Sequence, residues 1–170
     1  MKALGVELKP LESDDLEDLA VWRQHPDNFG FFTGHIPITV SGQKDWYQSY
    51  LRNDNDMIFV ISDSDGRRFG TVGLSSIDHK NQKAEFGRFL IGDLEMRGRG
   101  YGKEALKKLI EFGFCELNLH KIYLRVFADN EGAISLYEQV GFSREGLLRD
   151  DHFSNGRWRD VVLMAIFRKI

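Results

Sequence analysis

Apolar and polar positions change rhythm several times along the chain, and each change predicts an element. "VELKPL" (6–11) alternates and predicts a short edge strand. In "SDDLEDLAVWRQH" the spacing lengthens: Leu16, Leu19, Ala20 and Arg23 share one helical face. Ser13 stands where a cap belongs, and Asp14 and Asp15 suit the positive end of the helix dipole. "PDNFGFFTGHIPIT" has no period and reads as loop, after which "SGQKDWYQSYLR" predicts a second helix with Trp46, Tyr50 and Leu51 inward. "MIFVISD", "RFGTVGLSSID" and "KAEFGRFLIG" are strand runs separated by Ser64-Asp65-Gly66 and by "HKNQ", so they predict antiparallel neighbours. "KEALKKLIEFGFCELN" is apolar at 105, 106, 109, 110, 112, 114 and 117, which gives a helix with a wide buried face. "KIYLRVFA" is a strand, and "DNEGAISLYEQVGF" a short helix opened by Asp129 or Asn130 and closed by Gly141. Two last strands flank Asn155-Gly156, a strong hairpin signal.

The order is therefore β-α-α-β-β-β-α-β-α-β-β. A helix between the fourth and fifth strands demands a crossover, so that pair is parallel within a mostly antiparallel sheet of α/β (α+β) class. The 170 residues predict a single domain over 1–170 with one core.

Charge and cysteine usage narrow the function classes. The net charge of −3 argues against a sequence-independent nucleic-acid binder. Cys115 is the only cysteine, which excludes an intrachain disulfide, points to a reducing cytoplasm, and reads as a small buried side chain rather than a nucleophile. The first fifteen residues lack an apolar core of signal length, and nowhere do eighteen apolar residues run together. A cytoplasmic chain without a membrane partner is expected. The five histidines (25, 35, 79, 120 and 152) form no H-x₃-H or H-E-x-x-H pair, so no metal is expected.

Chemistry concentrates in "RGRGYGKEAL". Gly98, Gly100 and Gly102 fall between a strand and a helix, where four N–H groups have no partner inside the helix. Bare backbone there lets an anion approach those amides and the helix dipole, with Arg97, Arg99 and Lys103 adding charge. A phosphate or diphosphate suits such a site. The spacing fits neither a Walker loop, since Glu104 follows Lys103, nor a G-x-G-x-x-G dinucleotide fingerprint. Taken alone, the same glycines also suit a turn that merely packs a helix close to the sheet.

"RGRGYG" matches the R/Q-x-x-G-x-G/A signature of the GNAT superfamily of N-acetyltransferases, in the same place between fourth strand and third helix. "HKIYLRVFADNEGAISLYEQVGF" resembles that family's second motif. The resemblance covers nearly the whole chain. It implies that the loop amides hold the diphosphate of acetyl-CoA, and that the fourth and fifth strands splay. Pantetheine would then pair with backbone around Leu90, Ile91 and Gly92. It also implies that Asn130 contacts the cofactor arm and that Tyr137 protonates the departing thiolate. Homodimers are common among such proteins.

Acyl transfer to an amine makes its own demands. An alkyl amine with a pKa of about 10.4 is neutral in about one molecule in 2,500 at pH 7, so a base is needed. Glu85, mid-strand in "KAEFGRF", is the candidate, acting through water as in relatives; a surface glutamate is its plain alternative. His120, Asp78, His79 and His35 are weaker candidates. The oxyanion wants a backbone N–H, which Ile91 or Gly92 is placed to offer.

The acceptor side falls to the loop with Phe29, Phe31, Phe32 and His35 and to the last hairpin, with Arg149, Asp150, Asp151, His152, Arg157, Trp158 and Arg159. The chain resembles a branch of spermidine, ribosomal-protein N-terminal and nucleotide-sugar acetyltransferases. Asp150, Asp151, Asp160 and Glu145 suit a polyamine, but the interleaved arginines repel a polycation and suit a nucleotide diphosphate. The expectation is a small-molecule amino sugar, free or nucleotide-linked, ahead of a protein N-terminus or a polyamine. A non-catalytic acyl-CoA sensor is the alternative from another class.

Overall fold

The computed structural model describes residues 5–31 and 38–169. In chain order the elements are β1 (Val6–Pro10), α1 (Leu16–Gln24), α2 (Val40–Tyr50), β2 (Met57–Asp63), β3 (Arg68–Asp78), β4 (Lys83–Ile91), α3 (Tyr101–Cys115), β5 (Lys121–Phe127), α4 (Glu131–Val140), β6 (Ser143–Ser154) and β7 (Arg157–Phe167). Short 3-10 turns occupy Ser13–Asp15, Pro26–Phe31 and Leu94–Met96. The strands form one mixed sheet in the order β1-β2-β3-β4-β5-β7-β6. β4 and β5 are parallel and the other pairings antiparallel, as the crossover argument requires. Among the described residues, no helix is long and apolar enough to cross a membrane.

The parallel pairing is brief. It joins Lys83–Lys121, Ala84–Ile122 and Glu85–Tyr123, then stops, although both strands continue. A bulge accompanies the divergence. The register with β3 slips between Thr71 and Gly73, Arg88 takes a φ of 53°, and the Thr71 hydroxyl donates to the Arg88 carbonyl at 2.8 Å. Such a bulge adds a residue and reverses which side chains face which side. Phe86 belongs to the core beneath α3 and α4, with Leu74, Leu109, Ile122 and Met164. Leu90, four residues on, belongs instead to the core beneath α1 and α2, with Leu16, Trp22, Tyr47 and Val60.

Three local expectations change. Ser13 lies within the first 3-10 turn, where the Asp15 carboxylate accepts from the Glu12 N–H at 2.8 Å, and the α-helix begins only at Leu16. Leu51 is 56% exposed because α2 ends at Tyr50, and Tyr47 turns inward in its place. Cys115 is exposed: it closes α3 two residues after buried Gly113, roughly 200° around the helix from it. The last hairpin turns as expected, with positive φ at Asn155 (52°) and Gly156 (75°).

Candidate active site

Where β4 and β5 part, a cleft of about 730 Å³ opens. Phe89, Leu90 and Ile91 form one wall, and Arg125, Val126 and Phe127 the other. Its mouth is the glycine loop and the start of α3, and Asn130 and Tyr137 close it from α4.

The loop carries the geometry its glycines suggest. Gly98 and Gly100 have φ of 70° and 88°, a region that costs a side chain energy, and Gly100 is the N-cap of α3. A methyl on Gly102 would come within 2.9 Å of the Phe89 ring. The first helical bond runs from the Glu104 N–H to the Gly100 carbonyl at 3.2 Å. Among the described residues, no acceptor is found for the N–H groups from Gly98 to Lys103. These amides stand at the positive end of a fifteen-residue helix, facing the cleft through Gly98, Gly100 and Gly102.

The three cations of the loop have unequal parts. Arg97 is a strut: its Nε donates to the Ile91 carbonyl at 2.9 Å and its guanidinium to Asn28 Oδ1. Asn28 is fully buried and its Nδ2 donates to the Trp22 carbonyl at 2.5 Å, so the strut ties the loop to α1. Lys103 donates to Gln139 Oε1 at 3.0 Å, bridging α3 and α4 at the cleft mouth. Arg99 is exposed and off the cleft wall.

Tyr137 is buried, at 8% exposure, with its ring edge-on to Phe86 at 5.6 Å and tilted on Phe142 at 5.9 Å. Burial pushes its phenol pKa up to about 12. Asn130 lines the cleft while its Oδ1 caps α4 by accepting from Ala133 N–H at 3.1 Å. Gly92 does not serve as expected. Its N–H donates to the Phe69 carbonyl at 2.8 Å, and a methyl there would sit 2.1 Å from Trp22, so this glycine lets α1 pack on the strand. Because successive residues of a strand face opposite edges, the Ile91 amide turns toward the cleft.

Glu85 is half-buried at the last rung before the split, opposite Tyr123 and on the other face from Ala84 and Phe86, but it is not on the cleft wall. Its charge, after burial, helps raise the Tyr123 pKa. His120 is exposed at the start of β5 against Phe167, Asp78 is held by Asn81, and His79 is exposed. Phe32 and His35 lie outside the described residues, and Phe29 and Phe31 fall in the 3-10 turn.

Two of the hairpin arginines are committed to one carboxylate. Arg157 and Arg159 both hold Asp129, at 3.0 and 2.5 Å, and Arg159, bonding it most strongly, draws the Asp129 pKa down. Arg125 pairs with Asp151, and Lys121 with Glu145 at 2.7 Å. The sequence does not place Arg125, Phe127 or His152 on the cleft wall: the first two reach it where β5 leaves β4 beyond Tyr123, and a bulge in β6 brings His152 to them. Among the described residues, no group of three or more His, Cys, Asp or Glu gathers to hold a metal.

Comparison with known proteins agrees with this geometry. The acetyltransferase (GNAT) domain model matches residues 6–143. Spermidine N(1)-acetyltransferase of Escherichia coli K12 is 33% identical over 166 residues, 98% of this chain and 88% of the relative. The Vibrio cholerae spermidine N(1)-acetyltransferase is 34% identical over 95% of this chain and 92% of its own. A crystal structure of the Vibrio cholerae enzyme with CoA and spermine superposes with a TM-score of 0.90 at 29% identity, over 96% of this chain and 95% of that one.

Proposed function

This chain belongs to the GNAT family of acetyltransferases, and from that premise we propose that it carries acetyl from acetyl-CoA to a primary amine of a linear polyamine of the spermidine class. The enzyme is an acetyl-CoA-dependent N-acetyltransferase; the acceptor is the proposed part. The observation that carries the reading is the cleft between β4 and β5, with unpartnered amides at one end and a buried phenol beside it. In this reading Gly98, Gly100 and Gly102 with the first turn of α3 cradle the diphosphate, and Lys103 gives up Gln139 to it. Pantetheine lies along Phe89 to Ile91, Asn130 borders it, and the Ile91 N–H faces the oxyanion. Tyr137 stands by the leaving sulfur.

Sequence reasoning put amino sugars first because of the arginines in the last hairpin. Asp129 offsets one of the two charges of Arg157 and Arg159, which weakens that objection, and the spermidine-acetylating relatives favour a polyamine. Thiol release from acetyl-CoA tests this, using a panel of spermidine, a free and a nucleotide-linked amino sugar, and a peptide with a free N-terminus. Spermidine should lead. A preference for the sugars would return the acceptor to the earlier expectation, and binding without release under any amine would make the protein a sensor.

A further inference from the structure

A bend in β6 sets an imidazole on the cleft wall. β6 pairs Leu148 with Val161 and next His152 with Arg159, so four steps along β6 answer to two along β7. The surplus bulges at Asp150, whose φ is 50° and whose N–H donates to Asp160 Oδ1 at 2.9 Å. Bulges beside active sites re-aim side chains, and here both Asp151 and His152 reach the cleft. Asp151 is taken by Arg125. The His152 ring is half-buried and lies 5.2 Å from Phe127, whose ring also carries the Arg159 guanidinium at 3.5 Å. That stack, anchored by Asp129, orients the imidazole. The charged or titratable groups that share the cleft with it are Arg125 of β5, Asp151 of its own strand, Tyr137 of α4 and, at the mouth, Arg97, Tyr101 and Lys103, with Arg159 of β7 and Asp129 behind Phe127. Glu85 is not on this wall.

Resting on the acetyl-transfer reading above, we propose that His152, not Glu85, takes the proton from the incoming ammonium. An imidazole is the side chain suited to accept one near neutrality. Its neutral nitrogen removes one ammonium proton, and the freed lone pair forms the N–C bond while the C–S bond breaks. The nitrogen sheds a second proton as the amide forms, the thiolate takes one up by way of water and the Tyr137 hydrogen bond, and the imidazolium returns the first to water. One proton is released per turnover.

The test is the pH dependence of kcat/KM for the wild type, His152→Gln and Glu85→Gln with the best amine, alongside acetyl-CoA affinity by calorimetry. His152→Gln should lower kcat at least about a hundredfold and abolish the acid limb, while acetyl-CoA affinity stays within about twofold. Glu85→Gln should keep the limb. An acid limb that survives in His152→Gln, or vanishes in Glu85→Gln, overturns the proposal. So does a parallel loss of cofactor affinity in both His152→Gln and His152→Asn, which would make the residue structural. Failure of the acetyl-transfer reading is told apart in the wild type alone, as absence of amine-dependent thiol release, and takes the proposed base with it.

Discussion

Tyr137 shows how one buried side chain meets two demands. Removed from water against Phe86 and Phe142, its phenol stays protonated well past neutrality and remains a donor throughout the working range. Its pKa of about 12 lies above that of a thiol, about 8.5, so full transfer to a thiolate is uphill by roughly 5 kcal/mol. In the proposed reaction the phenol therefore serves by hydrogen-bonding the sulfur as charge builds there, with water completing the proton's path. Tyr137→Phe should lower kcat by about a hundredfold or more and leave acetyl-CoA affinity nearly intact, which steady-state kinetics and calorimetry would separate. The same burial has a signature in stability. Between the ordinary tyrosine pKa of 10.0 and about 12 the folded state holds a proton that the unfolded state has lost. Stability present below about pH 10 is thus lost as pH rises toward 12, by roughly 2–3 kcal/mol. Urea unfolding of Tyr137→Phe should show a shallower alkaline decline than the wild type; identical slopes would contradict the assigned burial effect.

At the scale of elements, the glycines of this chain divide by geometry. Gly100 stands at φ 88° at the head of α3, and Gly92 stands under Trp22, yet both look alike in the sequence. Gly100→Val forces a β-branched residue into the left-handed region, costing about 1–3 kcal/mol, and puts methyls where the proposed cradle would take the diphosphate. Acetyl-CoA binding should disappear in a protein that still melts cooperatively; retained affinity would dismiss the amide cradle. Strand and helix types were legible from period alone, and so was the parallel pairing of β4 and β5, because a helix intervenes. The bulges at Arg88 and Asp150 were not legible. Arg88 is not a type that favours a positive φ, and Asp150, which tolerates one, is not distinguished in the sequence from Asp151 beside it; register with the neighbouring strand imposes the conformation. Those bulges decide that Leu90 faces α1 and α2, and that His152 faces the cleft.

Across the whole molecule, the sheet ends on β6, a twelve-residue edge strand whose side chains are mostly exposed. Leu147 and Phe153 along it, and Trp158 across the hairpin on β7, are each more than half exposed. Such an edge invites a further strand. A second copy laid antiparallel about Leu147 sets Arg149 opposite Glu145, so the edge is self-complementary in charge as well as apolar. Sedimentation should find the chain self-associated, and Leu147→Lys should shift it toward monomer; a monomeric wild type at assay concentrations would refute this. The sequence by itself determined the order of elements, the crossover that makes β4 and β5 parallel, and the glycine loop ahead of α3, because helix and strand periods, turn residues and glycine spacing are local properties of the chain. The tertiary structure alone decided that Arg97 braces α1, that Gly92 admits Trp22, that Arg157 and Arg159 share Asp129, and that His152 rather than Glu85 borders the cleft. Each of these depends on which residues of distant segments come within a few ångströms, and strand register and bulges set that.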